Sequence, residues 1–231
     1  MKRMWYLFSF ILLFHLNCTE PEEIIENEPP LPNISYLALG DSYTIGQAVE
    51  ENERYPVQLG DSLAQIGYTI DEVRIIAKTG WTTDELQTAI DNTEDLAESY
   101  DLVSLLIGVN NQFRGRSVAS YEPEFEALLQ QAIAFAGGNK DRVFVVSIPD
   151  YAYSPFGNGS SSISNGIDEY NAANKAITDS LGITYFNITP ISRGGLDDPD
   201  LVATDGLHPS GKQYTEWVKL MLPEVKNLLE K

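Results

Sequence analysis

The chain has 231 residues, of which 43% are hydrophobic and 10% aromatic, enough to form a packed core. Its 34 Asp and Glu residues outnumber its 15 Lys and Arg residues, and the formal net charge of -19 excludes nucleic-acid and anionic-membrane binders, which need a basic surface. One cysteine and two histidines exclude an internal disulfide and a zinc site made of clustered cysteines.

Residues 1–18 predict an export signal. Lys2 and Arg3 precede an apolar run over residues 4–16, which is short for a membrane span but typical of a signal-peptide core. Cys18 closes the run, which resembles a bacterial lipoprotein signal with a lipidated cysteine, although His15 stands where such signals usually carry an apolar residue. We therefore expect an exported protein that is anchored to the cell envelope only through an N-terminal lipid, or is otherwise periplasmic or secreted. A retained anchor with an incidental Cys18 stays open.

Residues 19–33 predict an acidic, proline-rich tether. The segment holds five Glu and four Pro with few large apolar side chains, so it cannot offset its own ordering entropy. Removing residues 1–33 still leaves a charge of -16 on the rest of the chain. The acidity therefore belongs to residues 34–231, where no internal repeat or second linker is visible and one domain suffices.

Within this domain, short apolar runs alternate with segments of helical periodicity. The runs span residues 34–39, 73–77, 102–107, 143–148 and 183–186. They are rich in β-branched residues without polar alternation, which predicts parallel strands buried on both faces. Helices are predicted at residues 56–66, 83–97, 123–136, 168–181 and 210–229. The order predicts a three-layer α/β/α domain with a five-stranded parallel sheet.

Ser42 is a candidate nucleophile because it follows the first predicted strand. Ligands of open parallel sheets bind beyond the carboxyl ends of the strands. A serine there can also simply cap a helix, which is the commoner role. The tripeptide Gly-Asp-Ser at residues 40–42 recurs at residues 60–62, but Ser62 has apolar neighbours at helical spacing. Ser62 is therefore predicted to lie inside a helix, away from any strand end.

Asp205 and His208 form a second candidate group just before the last helix. A carboxylate three residues ahead of an imidazole can accept from Nδ1 and leave Nε2 free as a base. The other histidine, His15, lies in the predicted signal, so His208 is the only one in the domain. A loop histidine bonded to a capping carboxylate is the alternative.

Two further residues follow predicted strands. Gly80 comes after the second strand and Asn110 after the third. A backbone N–H and a side-chain amide aimed at one point would form an oxyanion hole. Ordinary turn chemistry is the alternative for each residue considered alone.

These motifs, in this order across residues 36–209, resemble the SGNH hydrolases, also called the GDSL esterase and lipase family. The resemblance implies a flavodoxin-like fold, no cofactor, and a catalytic triad of Ser42, His208 and Asp205. It also implies a serine esterase that hydrolyses carboxylic acyl esters, with short acyl or acetyl groups favoured, through an acyl-enzyme. The expected partner is a small-molecule or glycan ester.

The resemblance further implies that Gly80 and Asn110 act as oxyanion donors beside the Ser42 backbone N–H. The chain departs from the family at Asn111, where an aspartate is usual, and this bears on the hydrogen bonds that support Asn110. A lysophospholipase or thioesterase of the same mechanism stays open. So do two non-enzymatic functions on the same fold, a flavin-binding domain and a surface-tethered binding module.

Substrate contacts are predicted from two segments. Tyr151, Tyr153 and Phe156 lie in residues 150–164, interpreted as a mobile loop at the rim of the site, where aromatic rings could stack on a sugar, line an acyl pocket or pack under the loop. Arg114 and Arg116 follow the candidate oxyanion residue closely and could bind an anionic part of the substrate. The alternative for both arginines is ion pairing with the domain's own carboxylates.

Overall fold

The structure, a computed structural model, describes Met1 and residues 31–231. Apart from Met1, the predicted signal at residues 1–18 lies outside the described residues. So do the predicted lipidation site Cys18 and most of the predicted tether at residues 19–33.

Five parallel strands form the sheet, as predicted. They are β1 (Asn33–Gly40), β2 (Thr69–Ala77), β3 (Leu102–Leu106), β4 (Val143–Val146) and β5 (Thr184–Phe186). Their spatial order is β2-β1-β3-β4-β5. This is the flavodoxin-like doubly wound order, in which the chain reverses direction across the sheet between β1 and β3.

Eight α-helices flank the sheet in the part of the chain that the structure describes. They are α1 (Ser42–Ile45), α2 (Tyr55–Gln65), α3 (Thr83–Asp91), α4 (Val109–Phe113), α5 (Val118–Phe135), α6 (Ser161–Leu181), α7 (Thr189–Ser192) and α8 (Gly211–Glu230). Right-handed crossovers place α2 on one face and α3, α5 and α6 on the other. In agreement, α2 packs against α8, while α5 packs against α3 and α6. Among the helices described, none is both long and apolar enough to cross a membrane.

The central strands are buried, but β2 is not. Every residue of β3 and β4 is buried, whereas only Ile76 of β2 is fully buried. Burial of the second strand on both faces was therefore a wrong prediction. Its position explains the difference, because β2 is an edge strand with a neighbour on one side only.

Helix boundaries also differ from those predicted. The structure starts α5 after the Ser117 cap, whose side chain accepts from the Ser120 backbone N–H, so Pro123 lies inside the helix and does not begin it. The end of α3 comes at Asp91, earlier than predicted, because the Asn92 and Thr93 side chains donate to the carbonyls of Thr88 and Ala89. Such side-chain bonds compete with continuation of a helix.

Candidate active site

Ser42 lies at the first position of α1, directly beyond the carboxyl end of β1. The preceding Asp41 caps this short helix, and its Oδ1 accepts from the Tyr43 backbone N–H at 3.1 Å. The first backbone N–H groups of a helix have no partner within it, so the Ser42 N–H is available for another acceptor. In contrast, Ser62 lies inside α2 as predicted, and its Oγ donates to the Gln58 carbonyl at 2.7 Å.

Asp41 is itself an unusual carboxylate. It is fully buried, and its Oδ2 has no hydrogen-bond partner. Removal from water raises the pKa of Asp41 to about 7, although backbone hydrogen bonds, including that from Tyr43, act in the opposite direction. The ionisable side chain of Asp41 thus lies next to Ser42 but is enclosed by protein atoms.

His208 and Asp205 meet in the loop before α8. The Asp205 Oδ2 lies 2.6 Å from His208 Nδ1, and its Oδ1 accepts from the backbone N–H groups of Leu207 and His208, each at 3.0 Å. Burial raises the pKa of Asp205, but the hydrogen bonds from His208 and Leu207 outweigh it and lower this pKa below its ordinary value. The carboxylate therefore stays ionised beside the imidazole. The Tyr43 ring packs edge-on against the imidazole, with centroids 5.7 Å apart.

Gly80 lies in a tight turn after β2. The Trp81 backbone N–H donates to the Lys78 carbonyl at 3.2 Å, and Gly80 has a φ of +90°. A positive φ at the third turn residue is the type II geometry, which favours glycine.

Asn110 lies in the first turn of α4, beyond β3. Its Nδ2 donates one hydrogen to the Trp81 carbonyl at 2.9 Å, which leaves the second amide hydrogen for another acceptor. Gly108 caps this helix with a φ of +131°, and a Cβ there would lie 2.8 Å from the Tyr121 ring. Only glycine therefore lets the chain turn from β3 into α4 at this point.

One cavity of about 210 Å³ brings the candidate groups together. The predicted residues that line it are Ser42, Gly80, Asn110, His208, Tyr151 and Phe156. The other lining residues are Tyr43, Thr79, Val109, Phe113 and Leu207. Asp205 is not among them, and it contacts the cavity only through its bond to the imidazole. A serine, an imidazole and two candidate oxyanion donors therefore line one largely apolar cavity.

Asn111 joins α4 to the start of α3 through hydrogen bonds with Thr83. It is fully buried, its Oδ1 accepts from the Thr83 backbone N–H at 3.1 Å, and its Nδ2 donates to Thr83 Oγ1 at 2.7 Å. The same hydroxyl donates to the Glu124 carboxylate. An aspartate at position 111 could only accept the Thr83 hydroxyl proton. Asn111 donates to this hydroxyl instead, and Glu124 accepts the hydroxyl proton, which compensates for the departure from the family pattern.

The rim segment differs from the predicted loop. Tyr151, Ala152 and Tyr153 form a 3-10 turn capped by Asp150, and residues 161–164 already belong to α6. Tyr151 lines the cavity, is buried, and donates its hydroxyl to Gln112 Oε1 at 2.9 Å. Tyr153 lines a separate small cavity next to it, so its place among the substrate contacts stays a prediction. The backbone turn at Tyr151 aims consecutive side chains in different directions.

Neither predicted arginine lines the cavity. Arg114 pairs with Glu85 at 3.1 Å and donates to the Gly80 carbonyl at 2.6 Å. Arg116 pairs with Asp84 at 2.7 Å and lowers the pKa of that carboxyl to about 2. The contacts of both guanidinium groups are thus those of the ion-pair alternative.

Phe113 is a cavity residue that the sequence reasoning missed. Its side chain is 60% exposed, and its ring centroid lies 6.2 Å from that of Tyr151 and 6.3 Å from that of Phe156. A large apolar residue within an otherwise polar segment that follows a candidate oxyanion residue was the available signal.

Within residues 31–231 no cluster of three or more His, Cys, Asp or Glu side chains is arranged to hold a metal ion.

Comparison with family models identifies a family to which this chain is related. The model of the GDSL-like lipase/acylhydrolase family matches residues 38–215, most of the described domain. Among curated proteins, none matches this sequence significantly.

Solved structures with the same fold include three hydrolases at 18% sequence identity. An esterase from Pseudoalteromonas, inhibited by monoethylphosphonate, has a TM-score of 0.65, with 86% of this chain and 100% of that chain covered. An acetylxylan esterase from Geobacillus stearothermophilus has a TM-score of 0.64, covering 85% of this chain and 95% of that chain. A phospholipase A1 from Streptomyces albidoflavus has a TM-score of 0.63, with coverage of 84% and 98%.

Proposed function

The chain belongs to the GDSL-like lipase/acylhydrolase family and is a carboxylic ester hydrolase, and from this premise we propose that Ser42, His208 and Asp205 form its catalytic triad. The observation that carries the proposal is the shared cavity, which Ser42 and His208 both line while Asp205 holds the far nitrogen of the imidazole. Ester hydrolysis is therefore the function proposed, in place of the flavin-binding domain and the surface-tethered binding module.

Acylation follows from these positions. His208 Nε2 takes the Ser42 Oγ proton while Oγ bonds to the ester carbonyl carbon, and the imidazolium then returns the proton to the departing alcohol oxygen. Deacylation repeats the cycle, with a water molecule in place of the serine hydroxyl, and releases the acid. Asp205 keeps the Nδ1 proton on the imidazole and stabilises its cation, which the lowered pKa of this carboxyl supports.

Three donors stabilise the negative oxygen of the tetrahedral intermediate. They are the backbone N–H groups of Ser42 and Gly80 and the second amide hydrogen of Asn110. Donors fixed before the reaction are effective because they need no reorganisation when charge develops. The Asn110 bond to the Trp81 carbonyl supports such fixation.

The apolar wall of the cavity supports an acyl or alkoxy group as the part of the substrate bound there. Phe113, Tyr151 and Phe156 form this aromatic wall, with Val109 nearby. A cavity of about 210 Å³ is smaller than the roughly 300–1,000 Å³ of sites for drug-sized ligands. Short acyl esters, including acetyl esters, are therefore the proposed substrates, and the acetylxylan esterase among the similar structures is consistent with this class.

The repeated tripeptide supplies the matched test of the nucleophile. Ser42→Ala should abolish hydrolysis of p-nitrophenyl butyrate, because it removes the proposed nucleophile and no other serine lines the cavity. Ser62→Ala should retain wild-type kcat, since Ser62 only donates to a carbonyl of its own helix. Full activity of Ser42→Ala, with its fold intact by circular dichroism, would overturn the proposed mechanism.

A series of p-nitrophenyl esters from acetate to laurate tests the acyl preference. We expect kcat/KM to be highest between acetate and hexanoate and to fall for longer chains. Phe113→Ala, which opens the aromatic wall, should move the optimum toward longer chains. A rise in kcat/KM up to laurate in the wild type would contradict the short-acyl proposal.

Export is also proposed from residues 1–18. The basic start, the apolar run and Cys18 support a lipid anchor. Cys18→Ser should move the protein out of the membrane fraction, and mass spectrometry should find the acyl groups on Cys18 of the wild type. Cleavage at another position without lipid would refute the anchor.

A further inference from the structure

The Gly80 turn controls which backbone group faces the oxyanion. Its central peptide joins Thr79 to Gly80 and carries the proposed N–H donor. Type I and type II turns differ by a rotation of this central peptide through about 180°. Such a rotation would replace the Gly80 N–H with the Thr79 carbonyl oxygen, which repels an oxyanion. The Gly80 carbonyl belongs to the next peptide, Gly80–Trp81, so a bond to it fixes where the turn and its donor N–H lie relative to neighbouring elements.

Arg114 contacts this turn directly. Its Nη2 donates to the Gly80 carbonyl at 2.6 Å, and its Nη1 donates to Glu85 Oε1 at 3.1 Å. The other oxygen of Glu85 accepts from the Thr82 backbone N–H at 2.9 Å, as part of the cap of α3. The planar guanidinium thus joins the turn to a carboxylate that is itself held by the start of α3, with the fixed fork that arginine offers and lysine lacks.

The same arginine caps the C-terminal end of α4, the helix that carries the side-chain donor. Asn110 and Arg114 lie one turn apart at α4, where the Arg114 backbone N–H donates to the Asn110 carbonyl at 3.0 Å. Asn110 Nδ2 bonds to the Trp81 carbonyl, and Arg114 Nη2 bonds to the Gly80 carbonyl. The successive carbonyls of Gly80 and Trp81 are therefore held by side chains at the two ends of α4, which fixes both oxyanion donors relative to each other.

We propose that Arg114 is a positioning residue of the oxyanion hole, which ties the Gly80 turn to α4 and so fixes the Gly80 N–H relative to the Asn110 amide, without touching substrate. The inference rests on the proposed function and adds to it a residue outside the cavity lining. Because a charge-assisted bond to one carbonyl stabilises one donor of three, its loss should cost less than removal of a donor itself.

Arg116 provides the matched control. It lies two residues away and pairs with Asp84 through both terminal nitrogens, at 2.7 and 3.3 Å, and with Glu124 at 3.8 Å. Like Arg114 it joins α4 and its following loop to the first turn of α3, but its side chain makes no hydrogen bond to the Gly80 turn. Partly exposed pairs of this kind contribute little stability, so both variants should fold.

The experiment compares Arg114→Ala, Arg114→Lys and Arg116→Ala in the full chain, with a neutral ester, p-nitrophenyl butyrate, and an anionic one, p-nitrophenyl hemisuccinate. Arg114→Ala should lower kcat about tenfold on both esters with KM within about twofold. The inhibition constant of butylboronic acid, which forms a tetrahedral serine adduct, should rise by a similar factor. Arg116→Ala should keep kcat within about twofold, and Arg114→Lys should lie between wild type and Arg114→Ala.

Two results would overturn the inference. A kcat of Arg114→Ala equal to that of Arg116→Ala would make Arg114 a surface ion pair only. A loss confined to KM for the anionic ester would make it a substrate contact. If Arg114→Ala fails to fold, the kcat and boronic-acid affinity of Arg114→Lys decide in the same way. Ser42→Ala separates this inference from the proposed function. If Ser42→Ala is inactive while Arg114→Ala has wild-type kcat, only the positioning role of Arg114 is refuted. If Ser42→Ala is fully active, both the proposed function and the positioning role are refuted.

Discussion

The buried carboxyl of Asp41 makes stability depend on pH in a predictable direction. Burial raises its pKa from 3.8 to about 7, so the folded protein binds this proton more tightly than the unfolded chain does. The stabilising contribution is therefore fully present below pH 3.8 and is lost as the pH rises through about 7. A difference of about three pKa units at roughly 1.4 kcal/mol each gives up to roughly 4 kcal/mol.

Asp41→Asn removes this ionisation while keeping an oxygen that can accept from the Tyr43 N–H. The variant will have its own constant offset, because its new amide group occupies the place of the unpartnered Oδ2. The informative quantity is therefore the difference in unfolding free energy between wild type and variant as a function of pH. This difference should shift by up to roughly 4 kcal/mol against the wild type between pH 4 and pH 8.

Urea unfolding, followed by the fluorescence of the buried Trp217, measures this difference at each pH. The second copy of the tripeptide supplies the control, since Asp61→Asn makes the same substitution after the same preceding glycine at an exposed carboxylate. A constant difference for Asp41→Asn over the whole range would refute the reasoning. It would mean that the folded and unfolded states hold the Asp41 proton equally.

Three further changes test the site. Asp205→Asn should lower kcat on a short acyl ester by about 10³–10⁴, because an amide stabilises neither the catalytic tautomer of His208 nor its cation, and a loss below tenfold would contradict the orienting role. Asn111→Asp should lower the unfolding free energy by about 1–3 kcal/mol in urea titrations, since a buried carboxylate at position 111 would compete with the half-buried Glu124 for one hydroxyl proton. Adding Glu124→Gln should recover part of that loss, and equal stability of all variants would disprove the competition. Gly80→Ala should reduce kcat about tenfold, because a positive φ costs residues other than glycine about 1–2 kcal/mol. The cost comes from the backbone alone, since the new Cβ meets no atom closer than 3.9 Å. An unchanged kcat would show that the turn tolerates the strain.

The site residues predicted from the sequence share one property: the residues next to them in the chain already show whether they lie at the end of a strand or inside a helix. Ser42 and Ser62 have the same two preceding residues, yet the first follows an apolar run and the second lies among apolar residues at helical spacing. The structure places them at a strand end and inside α2, respectively. His208 stood out because the predicted domain holds no other histidine. Parallel topology then makes strand ends converge, so residues predicted beyond β1, β2 and β3 line the same cavity.

The sequence by itself determined the α/β class, the five strands and the candidate catalytic groups, because buried parallel strands require continuous apolar runs and helices require a period of 3.6 residues. Tertiary structure decided where each polar side chain finds its partner. Arg114 bonds to a carbonyl 34 residues earlier, Asn111 to a threonine 28 residues earlier, and Thr83 to a carboxylate 41 residues later. Periodicity records only which face of an element is apolar, whereas these contacts depend on how α3, α4 and α5 lie against one another after the sheet has formed. The same packing assigned Phe113 to the cavity wall and Tyr153 away from it.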